Sequence, residues 1–181
     1  MINYQSILTI AGEGRNVGKT LLACNIISKF SRQYNIIGLK ITAHKHSDTG
    51  DAKIVYQQGE TSLLEETVQE STKDTARMLA AGANRSFLLQ TTEFELKDAV
   101  TAFFSQIRKD SLIVCESGML SAMNPKGVNL FVRKLNCQVS AIDKKKPGSE
   151  INRIVTYTVN GFDIDLNNLV IENRYWKITE D

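Results

Sequence analysis

The 181-residue chain predicts a three-layer α/β domain with a mainly parallel sheet and a β-rich C-terminal tail. Three observations point there. A short apolar run passes through a glycine-rich loop into an amphipathic helix and then a second apolar run. Apolar runs and helical patterns go on alternating as far as Glu116. Beyond Val128 the helical rhythm fades and strand-like segments follow.

In chain order, Ser6 to Ala11 is rich in β-branched residues and stops at Gly12-Glu13-Gly14, so it reads as a buried strand. After Gly18, Leu21, Leu22, Cys24, Ile26, Ile27 and Phe30 recur at helical spacing, and that helix ends between Ser31 and Tyr34. Ile36 to Ile41 is the second strand. Together these segments form a βαβ unit with parallel strands and a right-handed crossover. The polar stretch Thr42 to Asp51 is a loop holding both histidines. Ile54-Val55-Tyr56 and Ser62-Leu63-Leu64 around Gln58-Gly59 read as a hairpin, with two short helical turns as the alternative. Thr72 to Ala81 reads as a helix capped by Ser71 or Thr72 and ended by Gly82. Phe87 to Leu89 is a strand, Leu96 to Ile107 an amphipathic helix, and Leu112 to Cys115 a buried strand running into Glu116-Ser117-Gly118. Val128 to Val132 and Val139 to Ile142 read as strands, and Lys144 to Gly148 as a charged turn. Arg153 to Val159 followed by Asn160-Gly161 suggests a hairpin with a tight primed turn. Leu169 to Trp176 is a strand or a short helix. Residues 1–143 form the expected nucleotide-binding domain, with residues 144–181 a β-rich extension packed on it.

Composition narrows the function classes. The chain is 42% hydrophobic and 23% charged, as globular domains are. A net charge of +2 gives no field that would draw it to nucleic acid or a membrane. No apolar run is long enough to cross a bilayer, and no secretory signal is visible. Cys24, Cys115 and Cys137 lack ligand spacing and lie in apolar stretches, so they read as buried free thiols of a cytoplasmic protein.

The strongest chemical signal is Gly18-Lys19-Thr20 between a strand and a helix. Glycines let backbone N–H groups turn onto phosphate oxygens, and the helix adds its positive end. Lys19 suits the β and γ phosphates and the Thr20 hydroxyl suits Mg²⁺. The expected cradle for ATP or GTP comprises Gly12, Glu13, Gly14, Arg15, Asn16, Val17, Gly18, Lys19, Thr20 and Leu21. The common pattern has glycine five positions before Gly18, where Glu13 stands, so this loop is one residue longer.

Five further sites are candidates. Lys40, at the end of the second strand, faces the phosphates or an acidic substrate, or is a solvated lysine. Glu116, at the end of an apolar strand, would hold a water on Mg²⁺ or polarise an attacking group; otherwise it caps nearby amides. Lys19, Lys40 and Glu116 are therefore the expected catalytic groups. Thr20, Glu116 and Asp51 are the expected metal ligands. His44, Lys45, His46, Asp48 and Asp51 would hold a metal or a phosphorylated substrate, or form a plain polar loop. Lys73, Asp74 and Arg77 make either a salt-bridged surface or an anion-binding rim, and charge spacing does not decide between them. Asp143-Lys144 reads as part of a solvated basic turn rather than a base contact.

The loop Gly12 to Thr20 resembles the long phosphate loop of dethiobiotin synthetases in the spacing of its first glycine and its Val-Gly-Lys-Thr ending. Lys40 also resembles a lysine which that family uses near the phosphates. From about Ser6 to Val132 the chain is similar to MobB-type proteins of molybdopterin-guanine dinucleotide biosynthesis. The shared features are a basic, histidine-containing loop (Lys40 to His46), a Lys73-Asp74-Thr75 helix ending in Ala81-Gly82-Ala83, and a strand ending in an acid (Glu116-Ser117-Gly118). Ser117 stands where that family has glycine. Gly14 stands where a related group of dimeric ATPases has a second lysine. These resemblances imply a P-loop NTPase fold. They also imply a Mg²⁺-dependent nucleoside triphosphate binding protein with slow or partner-stimulated hydrolysis. The alternative is an ATP-dependent enzyme that phosphorylates a small acid. A third reading is a nucleotide sensor that docks a partner protein through its tail. A homodimer is left open.

Overall fold

The computed structural model describes residues 2–43, 51–135 and 151–179. The elements follow in order as β1 (Ile7–Gly12), α1 (Lys19–Phe30), β2 (Ile36–Thr42), β3 (Lys53–Gln58), β4 (Thr61–Glu65), α2 (Asp74–Ala80), β5 (Arg85–Gln90) and α3 (Leu96–Ser105). Then come β6 (Leu112–Glu116), α4 (Gly118–Ser121), β7 (Val128–Lys134), β8 (Arg153–Thr158), β9 (Gly161–Phe162), β10 (Leu169–Glu172) and β11 (Tyr175–Ile178). The chain is thus α/β with a large, mostly parallel sheet. Among the described residues that sheet has nine strands in the order β3-β4-β5-β2-β6-β1-β7-β8-β9. The strands from β5 to β8 are parallel, whereas β3, β4 and β9 join antiparallel at the two edges.

Both faces of the parallel strands are buried, which is why β1 and β6 read as continuous apolar runs. Alternate residues serve opposite faces. Leu8, Ile10 and Val114 join one core with α1, Met78 of α2 and Trp176 of β11. Ile7, Ile113 and Cys115 join the other with α3 and Leu120 of α4. Phe87 and Phe103 meet edge-on in this second core, with ring centroids 5.5 Å apart. No helix among the described residues is long and apolar enough to cross a membrane.

Several local expectations hold with changes. The β3–β4 hairpin forms, with Gly59 at φ +58° in its turn. α2 begins at Asp74, later than Thr72, and neither Ser71 nor Thr72 caps it. Lys73 is its N-cap, without a side-chain cap bond. Its end is as expected: Gly82 adopts φ +107°, the Ala83 amide donates to Met78 and the Gly82 amide to Leu79. That pair of bonds is the Schellman arrangement. α3 stops at Ser105, short of Ile107, and β7 runs two residues past Val132 to Lys134.

The C-terminal residues differ more. β8 pairs parallel with β7 and so extends the main sheet. The hairpin β8–β9 turns over Val159-Asn160. Only Gly161 has positive φ there, so the primed turn expected at Asn160-Gly161 is absent. Leu169 to Trp176 is neither one strand nor a helix. It is most of the hairpin β10–β11, turned by Asn173 and Arg174, both at positive φ. Cys115 is buried as expected, but Cys24 is only half-buried; both are free thiols. Cys137, the strand expected at Val139 to Ile142, the turn at Lys144 to Gly148 and Asp143 lie outside the described residues, as do His44, Lys45, His46 and Asp48.

Candidate functional site

The site is built where β1 hands over to α1. Gly12 ends β1 in a crowded place. A Cβ there would lie 2.8 Å from the Val132 carbonyl oxygen and 3.1 Å from Lys19 Cδ. Asn16 turns the loop at φ +58°, and Gly18 caps α1 at φ +102° without a side-chain cap bond. The first-turn amides of α1 therefore receive no capping side chain from Gly18, which leaves the helix's positive end open to an anion. Lys19 folds back so that its ammonium donates to the Gly14 carbonyl at 2.5 Å.

Parallel register brings the acidic and basic partners to the same level. Ile10 of β1 pairs with Glu116 of β6, and Glu116 pairs with Lys40 of β2. Ile10 faces the core that contains α1, so Glu116 and Lys40 rise on the same side as Thr20 in the first turn of that helix. Thr20 Oγ1 donates to Glu116 Oε2 at 2.6 Å. Lys40 Nζ donates to Asp74 Oδ2 and lies 3.7 Å from Glu116 Oε1. Arg77 stands one turn along α2, 3.7 Å from Asp74. Burial works to raise the Asp74 pKa. The hydrogen bond and charge of Lys40 outweigh it, with smaller help from Thr20 and Arg77, so the carboxyl sits below its ordinary range. Burial pushes the Cys24 thiol up, against the lowering charge of Arg77, and pushes the fully buried Cys115 thiol well up.

These groups surround one hollow of about 550 Å³. Of the sequence-predicted residues, Arg15, Asn16, Gly18, Lys19, Thr20, Leu21, Lys40 and Glu116 line it. Lys40 is thus inside the site rather than a solvated strand-end lysine, and its side chain is 24% exposed. Asp74 and Arg77 also line the hollow, so the α2 charges are part of its rim as well as a salt bridge. Gly12, Glu13, Gly14 and Val17 do not line it. Val17 is buried in the core, and the Glu13 carboxylate accepts the Lys134 amide at 3.2 Å, tying the loop to β7. Asp51 is exposed and not on the hollow; its carbonyl accepts the Thr67 hydroxyl at 2.9 Å. Among the described residues, no group of three or more His, Cys, Asp and Glu gathers as a metal site.

The donor set nevertheless fits a small hard cation held jointly with a ligand. Thr20, Glu116 and Asp74 supply oxygens only, and Mg²⁺ takes one or two carboxylates together with phosphate oxygens and waters. Sequence reasoning missed Tyr157, which lines the hollow from β8. Nothing in the pattern of Arg153 to Val159 pointed to it, because the parallel pairing of β8 with β7 is non-local. Tyr157 stacks on Phe162 with ring centroids 4.8 Å apart, and both rings press on Gly18. No family model, no curated protein and no solved structure matches the chain.

Proposed function

We propose that this chain is a Mg²⁺-dependent nucleoside triphosphate binding protein of MobB-like type, with slow or partner-stimulated hydrolysis. The meeting of Lys19, Thr20 and Glu116 around one hollow, at the open N-terminus of α1, carries the reading. Lys19 exchanges its bond to the Gly14 carbonyl for one to a phosphate oxygen. The first-turn amides of α1 take further oxygens. Thr20 and Glu116 would hold Mg²⁺, which would supply positive charge against the terminal phosphates. The molybdopterin role rests on resemblance alone.

Titration of ATP and GTP, each with and without Mg²⁺, tests this reading together with phosphate release by the isolated chain. Binding that needs Mg²⁺, with negligible turnover, is expected. Absence of binding contradicts it.

One observation favours a second reading, an ATP-dependent enzyme phosphorylating a small acid. Lys40 and Arg77 stand at the rim of the same hollow, where an acceptor's carboxylate would find two cations. A panel of small carboxylates that stimulated ADP release would select it, and no stimulation would remove it.

A further inference from the structure

Lys40 stands between two carboxylates. Its ammonium donates to Asp74 Oδ2 and lies 3.7 Å from Glu116 Oε1. Glu116 Oε2 in turn accepts the Thr20 hydroxyl at 2.6 Å. The ammonium therefore sits against both carboxylates of the oxygen set that fits a small hard cation. Charge tells the same story. Asp74 and Glu116 carry two negative charges, and Lys40 and Arg77, each beside Asp74, carry two positive ones. These four sum to zero, and Lys19 adds a further positive charge to the same hollow. A free divalent cation thus gains no net attraction as it approaches. A polyphosphate reverses the balance, because its oxygens draw the ammonium and guanidinium groups and leave the carboxylates uncompensated.

We propose that Lys40 is a tethered counter-ion that holds the divalent cation's place in the nucleotide-free protein and yields it only to a cation arriving with polyphosphate. The inference rests on the nucleotide reading above and deepens it by fixing the order of binding: cation and triphosphate enter together, not cation first. Lysine suits this task. Its ammonium is a compact point charge on a flexible four-carbon stem, so it can move from carboxylate to phosphate without leaving the hollow. Release from Asp74 and Glu116 then places that ammonium at the terminal phosphate. A lysine that merely ties β2 to α2 would, when neutralised, leave the affinity of the carboxylates for a free cation unchanged.

The test uses the whole chain without nucleotide and Mn²⁺ as the probe, with the free ion measured by electron paramagnetic resonance. Lys40→Met keeps the length of the stem and removes the charge. It is expected to bind Mn²⁺ at least roughly tenfold more tightly than the wild type. Adding Glu116→Gln to Lys40→Met is expected to abolish that gain. Equal or weaker Mn²⁺ binding by Lys40→Met overturns the proposal, and so does a gain that survives Glu116→Gln. A second measurement needs no variant, so it decides even where Lys40→Met fails to fold. Mn²⁺ alone is expected to leave the melting temperature of the wild type unmoved at concentrations where Mn²⁺ with ATP raises it. A rise with Mn²⁺ alone as large as the rise with both overturns the proposal. Failure of ATP to bind the wild type, with or without metal, overturns the nucleotide reading instead, since the Mn²⁺ affinities of the two proteins are read without nucleotide.

Discussion

On the β6 side of the Gly12–Thr20 loop, Thr20, Lys40, Asp74 and Glu116 hold one another by hydrogen bonds and opposite charge. On the β7 side, Tyr157 and Phe162 press on Gly18, and Val132 leaves no room beside Gly12. The charged flank is made of bonds that a phosphate or a cation can replace one for one. The packed flank is made of contacts that nothing in solution can replace. One flank is therefore suited to exchange partners, and the other to hold the loop's shape while that happens.

Four substitutions separate the two flanks. Gly12→Ala has the largest expected effect on stability, because its Cβ would meet backbone rather than a movable side chain. Overpacking of this kind costs roughly 1–3 kcal/mol, a fall in melting temperature of roughly 5 °C for a chain of this size. Scanning calorimetry checks it, and an unchanged melting temperature would show that β7 yields easily. Next, Thr20→Val keeps the shape of the side chain and removes the hydroxyl bonded to Glu116. It is expected to lower the Mg²⁺ dependence of nucleotide affinity by roughly tenfold with little change in melting temperature. A large thermal loss instead would make the charged flank a structural element.

A smaller effect is expected from Asp74→Asn, read through pH. The folded-state pKa of Asp74 is lowered, so its ionised form stabilises the fold above the ordinary carboxyl range, and that contribution is lost as pH falls through the folded value. Urea denaturation from neutral to acid pH is expected to show a shallower acid loss in the variant than in the wild type. Superimposable curves would mean that the Lys40 pair contributes nothing net. The smallest effect serves as a control. Lys177→Ala removes an exposed pair with Glu172 on the β10–β11 hairpin, far from either flank in type of contact. It is expected to change stability by less than about 0.5 kcal/mol in the same denaturation measurement.

The same contrast governs how much was legible in the sequence. β1, the glycine loop, α1 and β2 are neighbours in sequence as well as in space, so glycine spacing and apolar periodicity describe them. Glu116 was legible because a charge directly after Leu112 to Cys115 must lie at the end of a buried strand. Asp74 and Arg77 were visible as charges, but their place at the hollow depends on how α2 packs against α1. Tyr157 was invisible because its position depends on β8 pairing parallel with β7, across residues 135–152, and no periodicity encodes a partner strand. The β10–β11 turn was missed for a different reason. Asn173-Arg174 adopts positive φ without a glycine to mark it. Trp176 then packs edge-on against Phe30 at 5.1 Å, so the last hairpin shields α1.

On the proposed function, the Lys19 ammonium and the open end of α1 form a polyphosphate cradle. Calorimetric titration of MgATP into the wild type and Lys19→Ala tests it most directly. Binding by the wild type and a loss of at least roughly tenfold in the variant are expected, with melting temperatures that stay close. Equal affinity in the two proteins, or no heat of binding in the wild type, would contradict it.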